Sequence, residues 1–426
     1  MSETDGNISV ITNKLADLEK LPPDEDILKN MLSTLESVIT RQPKDLVGGI
    51  DSSDNLLLNI PDHPGAAIAG YSFSLVISDP YDGHLRFVQE RMAEKAPEGD
   101  SEPLEIALIY SSPLPEEKLR LHVADYQLRT FIHTPSPRSP YDLAENNVPE
   151  FKVRLVAARH RETTERRAVR TSLFHSELEF RLLLKDGRHS SQNVSAGYTD
   201  DIGRKAVEQN VRYVGVVKQG TLLWSILYPY HKAFFDIKKS AYWALVSPEL
   251  IYQAYHSNQA DSKTIRLGSQ ENQSLGGIGG AWVIYGNGPR NFYILEFNVY
   301  DLAEFRPLVE SGIPLEYFNK SKRKWKKTYV AQKENDKYIG TQTLVTNEDI
   351  EKLIIPTIGE IDYLTTVSLV SSGYPIVLAD AHNRCKITGD RKDRLNAELI
   401  TALQKKGLHP VDFATWNEDP HKIFER

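Results

Sequence analysis

The clearest pattern near the start of the chain is an apolar stripe at helical spacing. After Pro22-Pro23, residues Ile27, Leu28, Met31, Leu32, Leu35, Val38 and Ile39 recur every three or four positions between Asp24 and Ile39. It predicts an amphipathic helix over 24–39, preceded by a weaker helical segment over 8–21, so that residues 1–44 form an N-terminal helical extension. From Leu46 the pattern changes to short apolar runs bounded by polar turns, the mark of strands. The run Leu46-Val47-Gly48-Gly49-Ile50 ends in Asp51-Ser52-Ser53. Further strands are predicted over 66–77, 104–110, 118–123 and 151–157, separated by Pro-rich or acidic loops over 96–103 and 134–149. A helix over 161–174 precedes Leu182-Leu183-Leu184, a strand closed by Lys185-Asp186-Gly187, and Val211–Val217 reads as a buried strand ending in Lys218. The segments 281–285 and 292–299 flank Gly286-Asn287-Gly288-Pro289 as a hairpin. Helices follow over 361–371, 377–385 and 391–406, the last stopped by Gly407. Strands and helices are mixed without a repeat, which predicts an α/β fold with a central mixed sheet flanked by helices.

Composition narrows the classes. The chain has 426 residues, enough for a core that needs no staples, and its one cysteine, Cys385, excludes an intramolecular disulfide. Met1-Ser2-Glu3-Thr4-Asp5-Gly6 lacks the basic and apolar regions of a signal peptide. No apolar run approaches the ~20 residues that cross a bilayer, so the expectation is a cytoplasmic protein without membrane attachment. A net charge of −7 argues against a protein that coats nucleic acid, yet leaves room for a local cationic track leading to an acidic centre.

Two basic tracts stand against that acidic background. One carries Arg154, Arg159, Arg161, Arg166, Arg167 and Arg170; the other interleaves Lys320, Lys322, Arg323, Lys324, Lys326 and Lys327 with Trp325 and Tyr329. Cations mixed with aromatic faces suit a single strand, whose phosphates meet lysines while its bases stack on rings. A solvated surface is the alternative for either tract.

Several familiar sites are absent from the sequence: no Walker A loop, no His-Glu-x-x-His helix, no Gly-x-Ser-x-Gly elbow, no zinc ribbon. Gly276-Gly277-Ile278-Gly279-Gly280 leads into a strand instead of a helix, so it reads as a turn and not a phosphate cradle. Glu150-Phe151-Lys152 and Asp236-Ile237-Lys238 mimic half of a restriction-type site, but the nearest Pro-Asp, Pro61-Asp62, is too distant to complete either.

What remains is a spread set of polar residues at element ends. Asp51 and Asp186 each follow an apolar run, Glu165 lies on the Arg-rich helix, and Lys218 ends a strand. Near the C-terminus comes Gly373-Tyr374-Pro375-Ile376-Val377-Leu378-Ala379-Asp380-Ala381-His382. Carboxylates with one imidazole suit Mn²⁺ or Mg²⁺. A chain with 58 acidic residues has many such aspartates, and each also reads as a cap or turn residue.

The order of these motifs resembles the NurA family of nucleases. The Tyr374-Pro375 to Ala381-His382 run is similar to that family's C-terminal signature, and Arg161-x-x-x-Glu165, Asp186-Gly187 and the strand ending in Lys218 follow its order. Asp51-Ser52-Ser53 stands where the family has Asp-Gly-Ser. The resemblance implies an RNase H-like domain over 45–413 and a tail over 414–426. It implies catalytic residues Asp51, Glu165, Asp186, Lys218, Tyr374 and His382, of which Asp51, Glu165, Asp186 and His382 are metal ligands for Mn²⁺ or Mg²⁺; Glu162, Glu177 and Glu179 compete with Glu165. Lys322, Arg323, Lys324, Trp325 and Lys326 are the candidate DNA contacts. The implied activity is a metal-dependent deoxyribonuclease that trims single strands 5′ to 3′ with some endonuclease action, working as a homodimer with a HerA-type hexameric ATPase in DNA end processing or anti-phage defence. The alternative is a catalytically degenerate DNA-binding or assembly subunit of the same translocase.

Overall fold

A computed structural model describes residues 31–59, 67–81, 84–91, 104–110, 127–132, the helical turns at 161–162, 165–166, 169–170 and 173, then 180–189, 196–218, 222–251, 280–288, 291–311, 332–334, 337–339, 341–367 and 373–412. The basic-aromatic tract with Lys322, Arg323, Lys324, Trp325 and Lys326 lies outside the described residues, as do the strands expected over 118–123 and 151–157 and the helix expected over 8–21.

The strands are β1 (Glu36–Ser37), β2 (Leu46–Asn59), β3 (Ala67–Tyr81), β4 (His84–Arg91), β5 (Leu104–Tyr110), β6 (Gln127–Ile132), β7 (Phe180–Asp186), β8 (Arg212–Val217), β9 (Tyr242–Leu245), β10 (Ala281–Gly286) and β11 (Phe292–Phe297), with a separate hairpin of β12 (Gln332–Glu334) and β13 (Lys337–Ile339), and finally β14 (Val411–Asp412). Twelve of them form one sheet in the order β1-β9-β10-β11-β8-β7-β2-β3-β5-β6, with β4 beside β3 and β14 beside β2. β7 runs parallel to β2 and β8 parallel to β7, while β3 is antiparallel to both β2 and β4. The run β4-β3-β2-β7-β8, in which only β3 is reversed, is the order and direction of an RNase H-like core. The expected mixed sheet flanked by helices is therefore present.

Helices cover both faces. They include, among the described residues, α1 (Ala196–Glu208), α2 (Leu222–Leu227), α3 (His231–Lys238), α4 (Arg306–Glu310), α5 (Ile355–Thr366), α6 (Ile376–Cys385) and α7 (Gly389–Gln404). On one face, Leu182, Leu184, Val214 and Val216 pack against α5 and α6 through Ile358, Ile361, Val377 and Leu378. On the other, Ile50, Leu183 and Tyr213 meet Val169 and Leu173 of the helical turns at 161–173. The alternation of β7 and β8 side chains between these two cores is the period-2 pattern of a sheet buried on both faces. Among the described residues no helix is long and apolar enough to cross a membrane.

The N-terminal stripe departs from expectation. The helix does not reach Ile39: residues 36–37 form β1 on the edge of β9, and Val38 N–H donates to Ala241 O at 2.9 Å. Val38-Ile39-Thr40 is a β-branched run, stiff at χ1 and better suited to an extended edge than to a helix. Met31 and Leu35 are buried against this chain's own β9, β10 and α3, while Ile39 is 75 % exposed. Met31 and Leu35 of the described stripe are thus covered by the same chain, while Ile39 is left exposed.

Candidate metal centre

Asp51 does not end its strand, as the sequence pattern led one to expect. β2 continues to Asn59, its outer half held by β3 through the register Asp51↔Ser74 to Asn59↔Ala67. What ends near Asp51 is the pairing with β7, whose last partners are Ile50↔Lys185. Asp51 therefore sits beside the C-terminal end of β7 that carries Asp186, where β2 leaves the parallel core and continues paired with β3 and, through it, β5 and β6. Strand ends of a parallel sheet are where such folds present chemistry.

α6 brings the imidazole. Gly49 lies under this helix so closely that an added Cβ would stand 2.5 Å from the Val377 carbonyl carbon and oxygen. At the start of the helix, Gly373 holds a φ of +93°, a backbone only glycine adopts freely, and its carbonyl accepts the Tyr293 hydroxyl. Seated in this way, α6 places His382 Nδ1 2.8 Å from Asp51 Oδ2, across 331 residues of sequence.

The other expected residues gather around this pair. Lys218 Nζ donates to Asp186 Oδ2 at 2.7 Å and sits 4.6 Å above the Tyr374 ring. Burial, then the neighbouring Asp186 carboxylate, push the Tyr374 hydroxyl well above the ordinary tyrosine value, so it stays a proton donor. Glu165 reaches the site from the opposite face of the sheet: one carboxylate oxygen accepts the Ser52 hydroxyl and Oε1 lies 2.5 Å from Lys185 Nζ. Glu162, the competing glutamate inside the described residues, instead lies 3.8 Å from the Arg166 guanidinium; Glu177 and Glu179 lie outside them.

Asp51 records the crowding electrostatically. Burial, with the charges of Asp186 and Glu165, raises it to about 6, against the opposing bonds from His382 and from Ser52 N–H at 2.7 Å. Like carboxylates held together in a buried place hinder each other's ionisation unless a cation joins them. Asp51, His382 and Cys385 present donor atoms within 4.8 Å of one another. Cys385 is a poor member of that set, because burial first, then Asp51 and Glu165, push its thiol up, and its Sγ donates to His382 O at 3.4 Å. A protonated thiol does not serve a hard divalent ion, whereas two carboxylates and an imidazole do.

Two residues of the site, Ser52 and Lys185, were given no role by the sequence. Ser52 satisfies Asp51 with its N–H and Glu165 with its hydroxyl, so the serine at the position of the usual glycine has a bonding role. Lys185 is 4 % exposed and joins Glu165 to the backbone of Asp186. Arg161 pairs with Asp54 at 3.3 Å on the β2 arm. Within the first basic tract, Arg166 is buried and donates to His189 O at 2.7 Å, and Arg170 pairs with Asp201 at 2.5 Å. Arg166 is thus held inside the fold, whereas Arg161 and Arg170 are partly exposed and each pairs with a carboxylate. Asp236-Ile237-Lys238 lies on α3 with Ile237 55 % exposed, far from the strand setting a restriction-type site needs.

No protein-family model matches the chain, and no curated protein matches it. Among solved structures, the chain is similar to the crystal structure of the NurA nuclease from Sulfolobus solfataricus, with a TM-score of 0.42 and 10 % identity over 95 % of this chain and 98 % of that one. It is also similar to a crystal structure of NurA bound to dAMP and manganese, with a TM-score of 0.24 and 12 % identity over 85 % of this chain and 63 % of that one, and to a further NurA crystal structure at a TM-score of 0.24 and 14 % identity over 84 % and 62 %.

Proposed function

We propose that the chain is a divalent-metal-dependent nuclease that hydrolyses phosphodiester bonds of DNA. The observation that carries the reading is the pairing of Asp51 with His382 beside the strand end that carries Asp186, whose charge, with that of Glu165 and after burial, raises Asp51. Asp51, Asp186 and His382 would hold Mn²⁺ or Mg²⁺, which when bound supplies a lowered water pKa and charge for the phosphate.

The chain's own groups then divide the remaining work. Lys218, paired with Asp186 and 35 % exposed along its side chain, donates to a non-bridging phosphate oxygen and balances charge as the P–O bond breaks. The Tyr374 hydroxyl, kept protonated, orients the same phosphate. Hydrolysis consumes one water and leaves a phosphate monoester and a free hydroxyl.

The choice of DNA, the 5′ to 3′ direction and a HerA-type ATPase as partner rest on the motif order of the sequence. Ser52 favours an active centre over a degenerate one, since its two bonds keep Asp51 and Glu165 in place without the usual glycine. Incubating the protein with end-labelled single- and double-stranded DNA, with Mn²⁺, Mg²⁺ or chelator, tests the activity. Co-expression with the ATPase, followed by pull-down, tests the partner. Absence of metal-dependent products from wild-type protein alone and with the ATPase would defeat the reading.

A further inference from the structure

Lys185 is the part of the site that the metal chemistry does not require. It lies on β7 between Leu184 and Asp186, where an aliphatic residue would continue the apolar run. Taking an ammonium out of water costs several kcal/mol unless it is well paired. Here the pairing is specific: Nζ is 2.5 Å from Glu165 Oε1 and donates to the Asp186 carbonyl at 2.7 Å. The second Glu165 oxygen is taken by the Ser52 hydroxyl. Both oxygens of Glu165 therefore face donors supplied by β2 and β7, while Asp51 is bonded to His382 and Asp186 to Lys218.

In a two-metal centre the ions sit about 3.5–4 Å apart and a carboxylate of this kind holds the second one. A fixed ammonium on that carboxylate occupies the same electrostatic role with one positive charge. We propose that Lys185 stands in place of a second cation, so that this centre takes a single divalent ion on Asp51, Asp186 and His382 and Glu165 acts as a positioning residue outside its coordination shell. This rests on the metal-centre reading above, and it deepens that reading by fixing the number of ions and the role of Glu165. Lys185 and Glu165 together tie the helical turn at 165–166 to the strand that carries Asp186, on the face away from His382.

The test is a Mn²⁺ titration of the full chain followed by electron paramagnetic resonance, which counts bound ions without any turnover. Wild type is expected to bind one ion. Glu165→Gln keeps an acceptor oxygen and is expected still to bind one ion, with affinity lowered by no more than about 10–100-fold, the cost of losing an outer partner of a ligand. Asp186→Asn, the ligand control, is expected to lose at least that much. Lys185→Met uncovers Glu165 and is expected to bind a second ion. Two ions in wild type falling to one in Glu165→Gln would overturn the inference while leaving the metal centre standing. Unchanged single-ion binding by folded Lys185→Met would also overturn it. No Mn²⁺ binding by wild type would overturn the metal centre itself and the inference with it. Should Lys185→Met fail to fold, the number of ions bound by wild type and by Glu165→Gln decides the question: one in each supports the inference, and two falling to one overturns it.

Discussion

Gly49→Ala tests whether the seat of α6 sets the geometry of the site. The added Cβ would meet the Val377 carbonyl carbon and oxygen at 2.5 Å and the Val377 Cβ at 2.9 Å, and backbone atoms cannot swing aside as a side-chain end does. Ordinary contact begins near 3.4 Å, so α6 and β2 must separate by about 0.9 Å. Overpacking of this kind costs about 1–3 kcal/mol. An unfolding entropy of about 2.1 cal/mol/K per residue turns that into a Tm shift of only about 1–3 °C for a chain of 426 residues, so urea denaturation is the better readout. The functional effect should be larger, because His382 rides on α6 and Asp51 lies two residues beyond Gly49 on β2. A displacement near 1 Å in a positioned constellation costs about 10²-fold in rate. Gly48→Ala is the matched control: its Cβ faces the flexible Leu183 Cδ1 at 3.0 Å on the opposite side of the strand. Cleavage and Mn²⁺ affinity should fall sharply in Gly49→Ala and little in Gly48→Ala. Equal behaviour of the two variants would refute the reasoning.

Asp362→Ala strips the acceptor from Thr40, Tyr285 and Asn287, which reach its carboxylate at 2.6, 2.7 and 2.8 Å, and should cost about 3 kcal/mol by urea denaturation. Asp301 is pushed up to about 7 by burial, with Arg306 and Arg212 opposing, so the native state keeps a proton that the unfolded chain releases above about pH 4. Its contribution is present at low pH and is lost as pH rises toward 7; Asp301→Asn should remove that decline, and parallel stability curves for the two proteins between pH 4 and 7 would contradict it. Replacing Lys322, Arg323, Lys324 and Lys326 by Ser should flatten the salt dependence of single-strand binding, and Trp325→Ala should cost about 1–3 kcal/mol of it; an unchanged salt slope would assign the tract to solvated surface.

Local pattern carried much of the fold. The apolar runs of β7 and β8, the hairpin of β10 and β11, and the helices α6 and α7 are visible in the sequence because each buries its own side chains on one or two faces. The edge strand β1 was hidden, since the helical period of Met31, Leu32 and Leu35 runs on into Val38 and Ile39 although the backbone turns extended after Leu35. The continuation of β2 through Ser52-Ser53-Asp54-Asn55 was hidden too, because polar residues that read as a turn are held straight by β3. α1, α2 and α3 escaped notice in the same way: their short apolar faces acquire meaning only against β8, β10 and β11. At the site, residue types and order were readable, but the approach of Asp51 to His382 across the fold and the burial of Lys185 beside Glu165 are tertiary facts that no local spacing encodes.

The most direct measurement is cleavage of end-labelled single-stranded DNA by wild type and by Asp51→Asn, each with Mn²⁺ and with chelator. Asp51→Asn keeps the size of the side chain and an oxygen for Ser52 N–H, and turns an amide nitrogen toward His382, while removing the charge that a cation needs. Wild type should yield products only with Mn²⁺, and the variant should yield none above background while unfolding at a similar urea concentration. Wild-type cleavage in chelator, or Mn²⁺-dependent cleavage retained by Asp51→Asn, would contradict the assignment of this centre.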